Sequence, residues 1–469
     1  MSEFSPSEAE VTRAILTSYD DSKTADITGN FITSFEINQS MNDVAWTGSM
    51  NIADASNILE GFPLRAEEKL ELWIKGYDLD TEYKLRCRVH KVGNISPSSN
   101  SNMVTYTLHF ISETSFNASL KKVLAPYIGP ISTLARTIFQ DKFAPLGPAD
   151  YLDPEDRSRT LPLAAERRSI QTDEFERSLI VQPTVGITKV IIPDLSPTET
   201  MFFLAARGYN PDSPSQTFRF FETLNNYYFC TDEFFLKGLR EQNIKTLFYA
   251  PVADLTPENA QAQIERIETL TVASKGTDTG MDINSGSYRN EVVEIDLIRR
   301  NFNISRFNFD NARYVDMNGT TRDMSSNPHT EQFRNDVFTA ENAKRFMLFK
   351  TYQSPGDLPS SLHSNKHIPE IVHNRVSYYH HLNNTALIAG MKGRLDLKPG
   401  MVVYLDIKNL SQAESGDAQP NVSLGGRYLI QATQHKVEGR TLNTILRLVK
   451  FDWSSGDDGT EDQPIPEGT

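Results

Sequence analysis

The sequence predicts a mainly β protein with α+β insertions, in which two similar small β-barrel modules flank a central α+β region. Three observations lead there. Residues 31–115 carry five short alternating runs joined by tight connections, residues 375–453 carry a second set of the same kind, and the apolar period changes to that of a helix in between. The chain has 469 residues, and at roughly 150 residues per domain this suggests about three folded units or more.

The first unit, residues 1–115, is read as a β-barrel module. "FITSFEI" alternates, "WTGSMNI" follows a bend at Met41-Asn42-Asp43, and "KLELWIKG", "YKLRCRVHKV" and "MVTYTLHFI" complete the set. The loop "GNISPSSNSN" separates the last two, and "DASNILEGF" is a short helical or turn interruption. Five strands with short connections fit a small barrel or sandwich.

Residues 116–240 form the central α+β domain. Ile131, Leu134, Ala135, Ile138 and Phe139 recur at the spacing of one helical face. A Pro- and Asp-rich stretch, "FAPLGPADYLDPEDRSRTLP", follows as a linker or loop. A helix from Pro197 to Arg207 is then marked by Ser196 as N-cap, Pro197 at the first position, Glu199 at the third, and Gly208 as the C′ stop. "TFRFFETLNNYYFCTDEFF" reads as a hairpin turning at Leu224-Asn225-Asn226. It holds too many rings for one buried face, so some are expected against the helix and others against another chain.

Residues 241–374 read as an α+β region. A helix is expected from Pro257 to about Glu268, and "RNEVVEIDLIRRNFNISRFNF" returns to strand. Residues 317–365 are polar and are expected to add little core. Residues 375–453 form the second β module. The tail 454–469 has five acidic and no basic residues, and is expected to be disordered and solvated.

The two β modules resemble each other. "PLRAEEKLELWIKG" matches "DLKPGMVVYLDIKN", each opening after a turn that begins with leucine, Leu64 or Leu397. "YKLRCRVHKV" matches "YLIQATQHKV", each ending in His-Lys-Val, with His90 and His435 in corresponding places. A chain with two like modules imitates a six-fold ring when three copies assemble.

Composition restricts the chemistry. Lys and Arg number 47 against 61 Asp and Glu, a net charge of −14, which disfavours a protein whose task is to hold nucleic acid. No stretch approaches 18 consecutive apolar residues, and "MSEFSPSEAEVTRAIL" has no basic n-region or apolar h-region, so neither a membrane span nor a secretory signal is expected. Cys87 and Cys230 are expected to be buried thiols. His363, His367, His373, His380 and His381 are the best metal suggestion, but their spacing fits no zinc pattern, and a polar surface cluster is the preferred reading. Nucleophile-elbow, P-loop and dinucleotide motifs are absent. The acidic pairs Glu67-Glu68 and Asp457-Asp458 read as solvated charge. No catalytic, cofactor-binding or metal residue is therefore assigned.

The order of parts carries a family resemblance. "GSMNIADA", "DLSPTETMFFLAARGYN" with the aromatic hairpin "FRFFETLNNYYF", "EVVEIDLIRRNFN", and the closing "LKPGMVVYLDI", "GGRYLIQATQHKV" and "NTILRLVKFDW" resemble the central baseplate hub proteins of T4-like contractile-tailed bacteriophages. The hubs of Mu-like tails and the hub part of type VI secretion spikes are similar too. The resemblance covers about residues 30–453 and leaves the 317–365 insertion and the acidic tail unplaced. It implies tail-tube-like barrel modules and a non-enzymatic homotrimer that adapts a hexameric tail tube to a trimeric puncturing spike. The implied partners are the spike, a tail tube or tube-initiator protein and other baseplate proteins, with no cofactor and no stable membrane insertion. DNA would pass only transiently through a channel, for which an acidic wall is the expectation. The implied location is the virion tail, after assembly in the host cytoplasm. A tail-associated cell-wall hydrolase and a receptor- or carbohydrate-binding β protein stay open as alternatives.

Overall fold

The computed structural model describes residues 7–450 apart from residues 30, 57, 63, 77–81, 98–102, 144–177, 238–243, 250–259, 276–278, 298–299, 310–311, 324–343, 350–366, 409–420 and 422. The linker beyond Phe143, most of the polar stretch 317–365 and the acidic tail lie outside the described residues.

The protein is mostly β. Seven strands of its main sheet come from the N-terminal unit: β1 (Ala9–Thr17), β2 (Thr24–Asp26), β3 (Ile32–Ser40), β4 (Thr47–Asp54), β5 (Lys69–Gly76), β6 (Tyr83–Pro97) and β7 (Val104–Ser112). Six more follow: β8 (Lys245–Tyr249), β9 (Ile267–Ser274), β10 (Thr385–Lys392), β11 (Val402–Ile407), β12 (Gly426–Glu438) and β13 (Thr441–Lys450). All thirteen belong to one hydrogen-bonded sheet. Leaving out the short β2, the lateral order is β1-β5-β6-β7-β4-β3 in the first module and β8-β11-β12-β13-β10-β9 in the second. Counted within each module along the chain, both orders are the same. One sense differs, since β1 runs antiparallel to β5 whereas β8 runs parallel to β11.

Three expectations change here. The modules are not barrels, because no sheet closes on itself. In the first module the gap is spanned by the tip of the β12–β13 hairpin, where the Ala9 amide donates to the Arg440 carbonyl at 3.0 Å and the Leu442 amide to Ser7 at 2.9 Å. The second module is not confined to 375–453, since β8 and β9 come from the preceding region. The helix expected from Pro257 to Glu268 is formed only over Ala260–Glu265 in the described residues. Beyond it "IETLTVAS" alternates with β-branched side chains and becomes β9.

Each module has its own apolar core. Phe35, Ile37, Met50, Leu72, Leu85 and Phe110 are among the buried side chains of the first, and Leu387, Val403, Leu405, Tyr428, Ile430 and Leu446 of the second. Cys87 is buried in the first core and Cys230 in the central region, and neither is in a disulfide.

The central region forms around α1 (Ile131–Ile138), α2 (Pro197–Ala205) and α3 (Ile368–Leu382). α1 buries Ile131, Leu134, Ala135 and Ile138, the face its spacing indicates. α2 has the expected capping box: the Glu199 amide donates to Ser196 Oγ at 3.3 Å and the Ser196 amide to Glu199 Oε2 at 2.8 Å. Its other end differs from expectation. Gly208 does not have the left-handed backbone of a C′ glycine; a Cβ there would lie 2.7 Å from the Phe218 ring, so close packing requires the glycine. The α2 C-terminus is held by α3, whose Arg375 guanidinium donates to the carbonyls of Ala205, Ala206 and Gln216.

The aromatic hairpin, Arg219–Glu222 and Tyr227–Cys230, is buried on both faces. Phe220, Tyr227 and Phe229 face the core with α1 and α2, whereas Phe221, Tyr228 and Cys230 face a second core with Tyr288, Phe309 and Tyr378. The rings of its two strands are thus divided between two cores of one chain. The described part of the polar region adds a strand but little core: Lys344–Phe349 pairs in parallel with Arg289–Asp296, and its Met347 is 65% exposed.

Replacing the cap, Ser196→Ala, is expected to cost about 1 kcal/mol of stability, read as a lower urea midpoint at unchanged slope.

Candidate assembly surface

The duplication extends to irregularities of the backbone. In β6 the ladder with β7 slips between Val89 and Lys91, leaving His90 as a bulge; in β12 the ladder with β13 slips between Ile430 and Ala432, leaving Gln431. The preceding residues match, the Val89 amide donating to the Glu68 carbonyl and the Ile430 amide to Met401. A second pair of bulges agrees as well, Thr33 in β3 and Glu268 in β9. Bulges re-aim a strand, and two in matching places are a property of the fold.

This alters the histidine reading. The counterpart of His90 is Gln431, and His435 lies four residues further along. His90 is exposed, its ring 6.3 Å from that of His109; partial burial, then His109 and Lys91, hold its pKa below the ordinary value. His435 is fully buried. The Thr444 hydroxyl donates to the Gly393 carbonyl at 2.6 Å, so His435 Nδ1–H donates to Thr444 Oγ1 at 3.0 Å. The shared triplet therefore places one ring outside and the other inside.

β12 joins the modules. Its first part, Gly426–Leu429, pairs with β11, and after the bulge residues 432–438 pair with β3, from Ala432↔Ser40 to Glu438↔Ser34. The matching strands are left differently. After its bulge, β6 pairs with β7 alone, and β9 pairs with β10 alone. Among the described residues each has one ladder edge without a strand.

The face of the sheet away from the two module cores is mostly hydroxyl and amide near the junction. Gln434 Nε2 and Asn38 Nδ2 donate to Glu36 Oε1 at 2.8 and 2.7 Å, Thr107 Oγ1 donates to Asn51 Oδ1 at 2.7 Å, and Asn51 Nδ2 to Ser34 Oγ at 2.8 Å. Beside this network Ile388 and Ile445 are about two-fifths exposed. Towards β5 and β6 the charges are Lys69, Glu71, Arg86 and Lys91, with Arg86 paired to Glu71 at 3.1 Å. Near the junction this face carries Glu36 within the amide network, and further out acidic and basic side chains alternate.

His363 and the side chain of His380 lie outside the described residues, and the other three histidines do not form a surface cluster. His367 stacks on Tyr209, with centroids 3.8 Å apart, and faces Glu370. His373 is buried between Asn290, which meets its Nδ1, and Ser305, whose Oγ lies 2.9 Å from its Nε2. His381 is buried against the rings of Tyr288 and Phe309. Successive side chains of α3 enter different surroundings, and no group of three or more metal-binding side chains occurs among the described residues. Of the acidic pairs, Asp457 and Asp458 lie outside the described residues. Glu68 is buried, accepting the backbone amides of Arg65 and Glu67, so it holds its turn together.

Sequence spacing does not reveal the charges that fasten the central domain. Arg219 meets Asp232 through two bonds of 2.7 and 3.0 Å, both groups buried. Burial opposes the guanidinium charge, but Asp232 prevails and raises the pKa above its ordinary value. Buried Glu222 accepts the hydroxyls of Ser112 and Ser115 at 2.6 and 2.9 Å, tying the aromatic hairpin to the end of β7. Among the described residues no helix is long and apolar enough to cross a membrane.

No protein-family model matches the chain, and no curated protein is similar to it in sequence. Solved structures of phage tail proteins are similar in the course of the chain. A tail protein from Neisseria meningitidis aligns over 97% of this chain and 99% of its own, at 9% identity and a TM-score of 0.47. A 43 kDa tail protein of a Shewanella oneidensis prophage aligns over 94% and 98%, at 9% identity and 0.46. A component of the Escherichia coli type VI secretion system, described as structurally similar to T4 tail proteins, aligns over 91% and 74%, at 9% identity and 0.38.

Burial depresses the His373 pKa from 6.5 to about 4. The unfolded chain binds the proton more readily, so this contribution is complete above pH 6.5 and is lost as pH falls towards 4. The melting temperature of the wild type is expected to drop more steeply between pH 7 and 4 than that of His373→Gln; equal slopes would contradict the assignment.

Proposed function

We propose that the chain is a structural hub of a phage tail baseplate, a trimeric ring that adapts the hexameric tail tube to the trimeric cell-puncturing spike. One observation carries this reading: two modules of the same strand order, with bulges in matching places, lie side by side in one sheet. Three such chains offer six like modules to a six-fold tube and three central domains to a three-fold spike. The order of sequence motifs supports the same reading.

The mechanism is mechanical. Sheet edges and loops of the six modules stack on the tube or its initiator, the opposite side grips the spike, and other baseplate proteins hold the rim. Contraction then drives the column through the envelope. The hydroxyl and amide face beside β3 and β12 suits a channel wall, since uncharged polar groups give passing DNA no phosphate-binding array. The chain acts by shape, without catalysis, in the virion tail after assembly in the host cytoplasm.

Light scattering on the purified chain is expected to give the mass of three chains, and co-expression with the spike protein of the same tail a stable complex. A monomer that clears peptidoglycan would overturn the hub reading in favour of a hydrolase.

A further inference from the structure

We infer that one face of the three-stranded sheet in the central region binds an acidic amphipathic helix of another protein. The sheet is built on Arg289–Asp296, with the antiparallel strand Asn301–Asn308 on one side and the parallel strand Lys344–Phe349 on the other. The inference does not rest on the trimeric ring.

Strand alternation separates the two faces. One carries Asn290, Val292 and Ser305 and packs on α3, whose His373 meets both Asn290 and Ser305. The other is ordered in cross-strand rows. Arg306, Glu291 and Arg345 form the first, where Glu291 accepts from Arg306 Nε at 2.9 Å and from Arg345 Nη2 at 3.1 Å. Ile304, Val293 and Met347 form the second, and Phe302 and Ile295 belong to the third. Phe302 is 69%, Ile304 43% and Met347 65% exposed, and Leu297, just past the strand end, is 69% exposed. An apolar stripe thus runs away from a charged row.

Layering, size and charge define the occupant. A sheet with one face on a helix and the other apolar is two layers of a three-layer sandwich, and a second helix completes it. Three strands by six residues span about 14 Å by about 20 Å, the footprint of a helix of roughly four turns. That footprint of about 300 Å² is well below the about 800 Å² per partner of a stable subunit contact, which favours a single helix over a second copy. Charge gives the sign. Glu291 is the one acidic side chain among the described residues of this face, against Arg289, Arg306 and Arg345. Arg306 and Arg345 both bind Glu291, yet their side chains stay 69% and 61% exposed. Carboxylates of the occupant therefore belong beside these two arginines, and its apolar side chains over Ile304, Met347 and Phe302. The chain as a whole carries a charge of −14, so a basic rim is a local exception that directs an acidic helix to this face.

Fluorescence anisotropy of labelled synthetic helices with the full chain tests this. Two helices share a leucine stripe and differ only in carrying glutamate or lysine on its flanks. The glutamate helix is expected to bind about tenfold more tightly than the lysine helix, and Met347→Glu to weaken it by about tenfold with an unchanged circular dichroism spectrum. The double variant Arg306→Glu with Arg345→Glu is expected to reverse the preference, and Ile128→Glu, exposed on a separate strand pair, to leave it unaltered. Equal binding of both helices, or no saturable binding, would refute the proposal. Three further results would refute it by naming another occupant: sedimentation with phosphatidylglycerol vesicles that Met347→Glu abolishes, a lower mass of Met347→Glu than of the wild type in light scattering, or slow maleimide labelling of Met347→Cys in the folded chain, which would mean that the chain covers its own face. A wild type that is monomeric and selects the glutamate helix would refute the ring and leave this proposal standing.

Discussion

The structure depends on one strand being shared. β12 satisfies backbone groups of β11 before its bulge and of β3 after it, while β13 runs along its other side. A strand paired along both edges leaves few backbone groups to water, and its side chains enter both module cores: Tyr428 and Ile430 the second, Val437 the first. The bulge makes this possible. One extra residue bends the strand where it passes from one partner to the other and restores the inward aim of the apolar positions.

The central domain is fastened to this sheet by buried polar contacts as well as apolar area. Glu222 reaches Ser112 at the end of β7, and Arg219 reaches Asn42 at the end of β3 while it pairs with Asp232. Such groups are costly to bury without partners, and their partners come from separate stretches of chain. The aromatic hairpin between two cores adds area on both sides. Arg375 binds the C-terminal carbonyls of α2 and thereby sets α3 against the hairpin. These contacts fix the central domain to the sheet through both backbone and side chains.

Duplication also connects the fold with assembly. A chain that solves the edge problem of one module by covering it with the other leaves the same problem at its outer edges.

Much of this was legible in the sequence for physical reasons. Period-two alternation identified β3 to β7 and the β12–β13 hairpin, because side chains of a half-buried strand must alternate. Ser196-Pro197 and Glu199 announced α2, because a capping box is local chemistry. β1, "AEVTRAILT", does not stand out, since its charged and small residues obscure the alternation, and the helix expected from Pro257 to about Glu268 overlaps only the first two residues of β9. The repeat was visible in the order of strands, but the His-Lys-Val match pointed to the wrong pair of residues. A bulge changes which face a residue takes without changing its neighbours in sequence. Alternation and capping are contacts between near neighbours, and the sequence by itself determined the two β modules and the capped helix between them. The joining of the modules through β12, the division of the aromatic hairpin between two cores, the burial of His373 and the unpaired edges of β6 and β9 are contacts between residues far apart along the chain. Only the tertiary structure decided those.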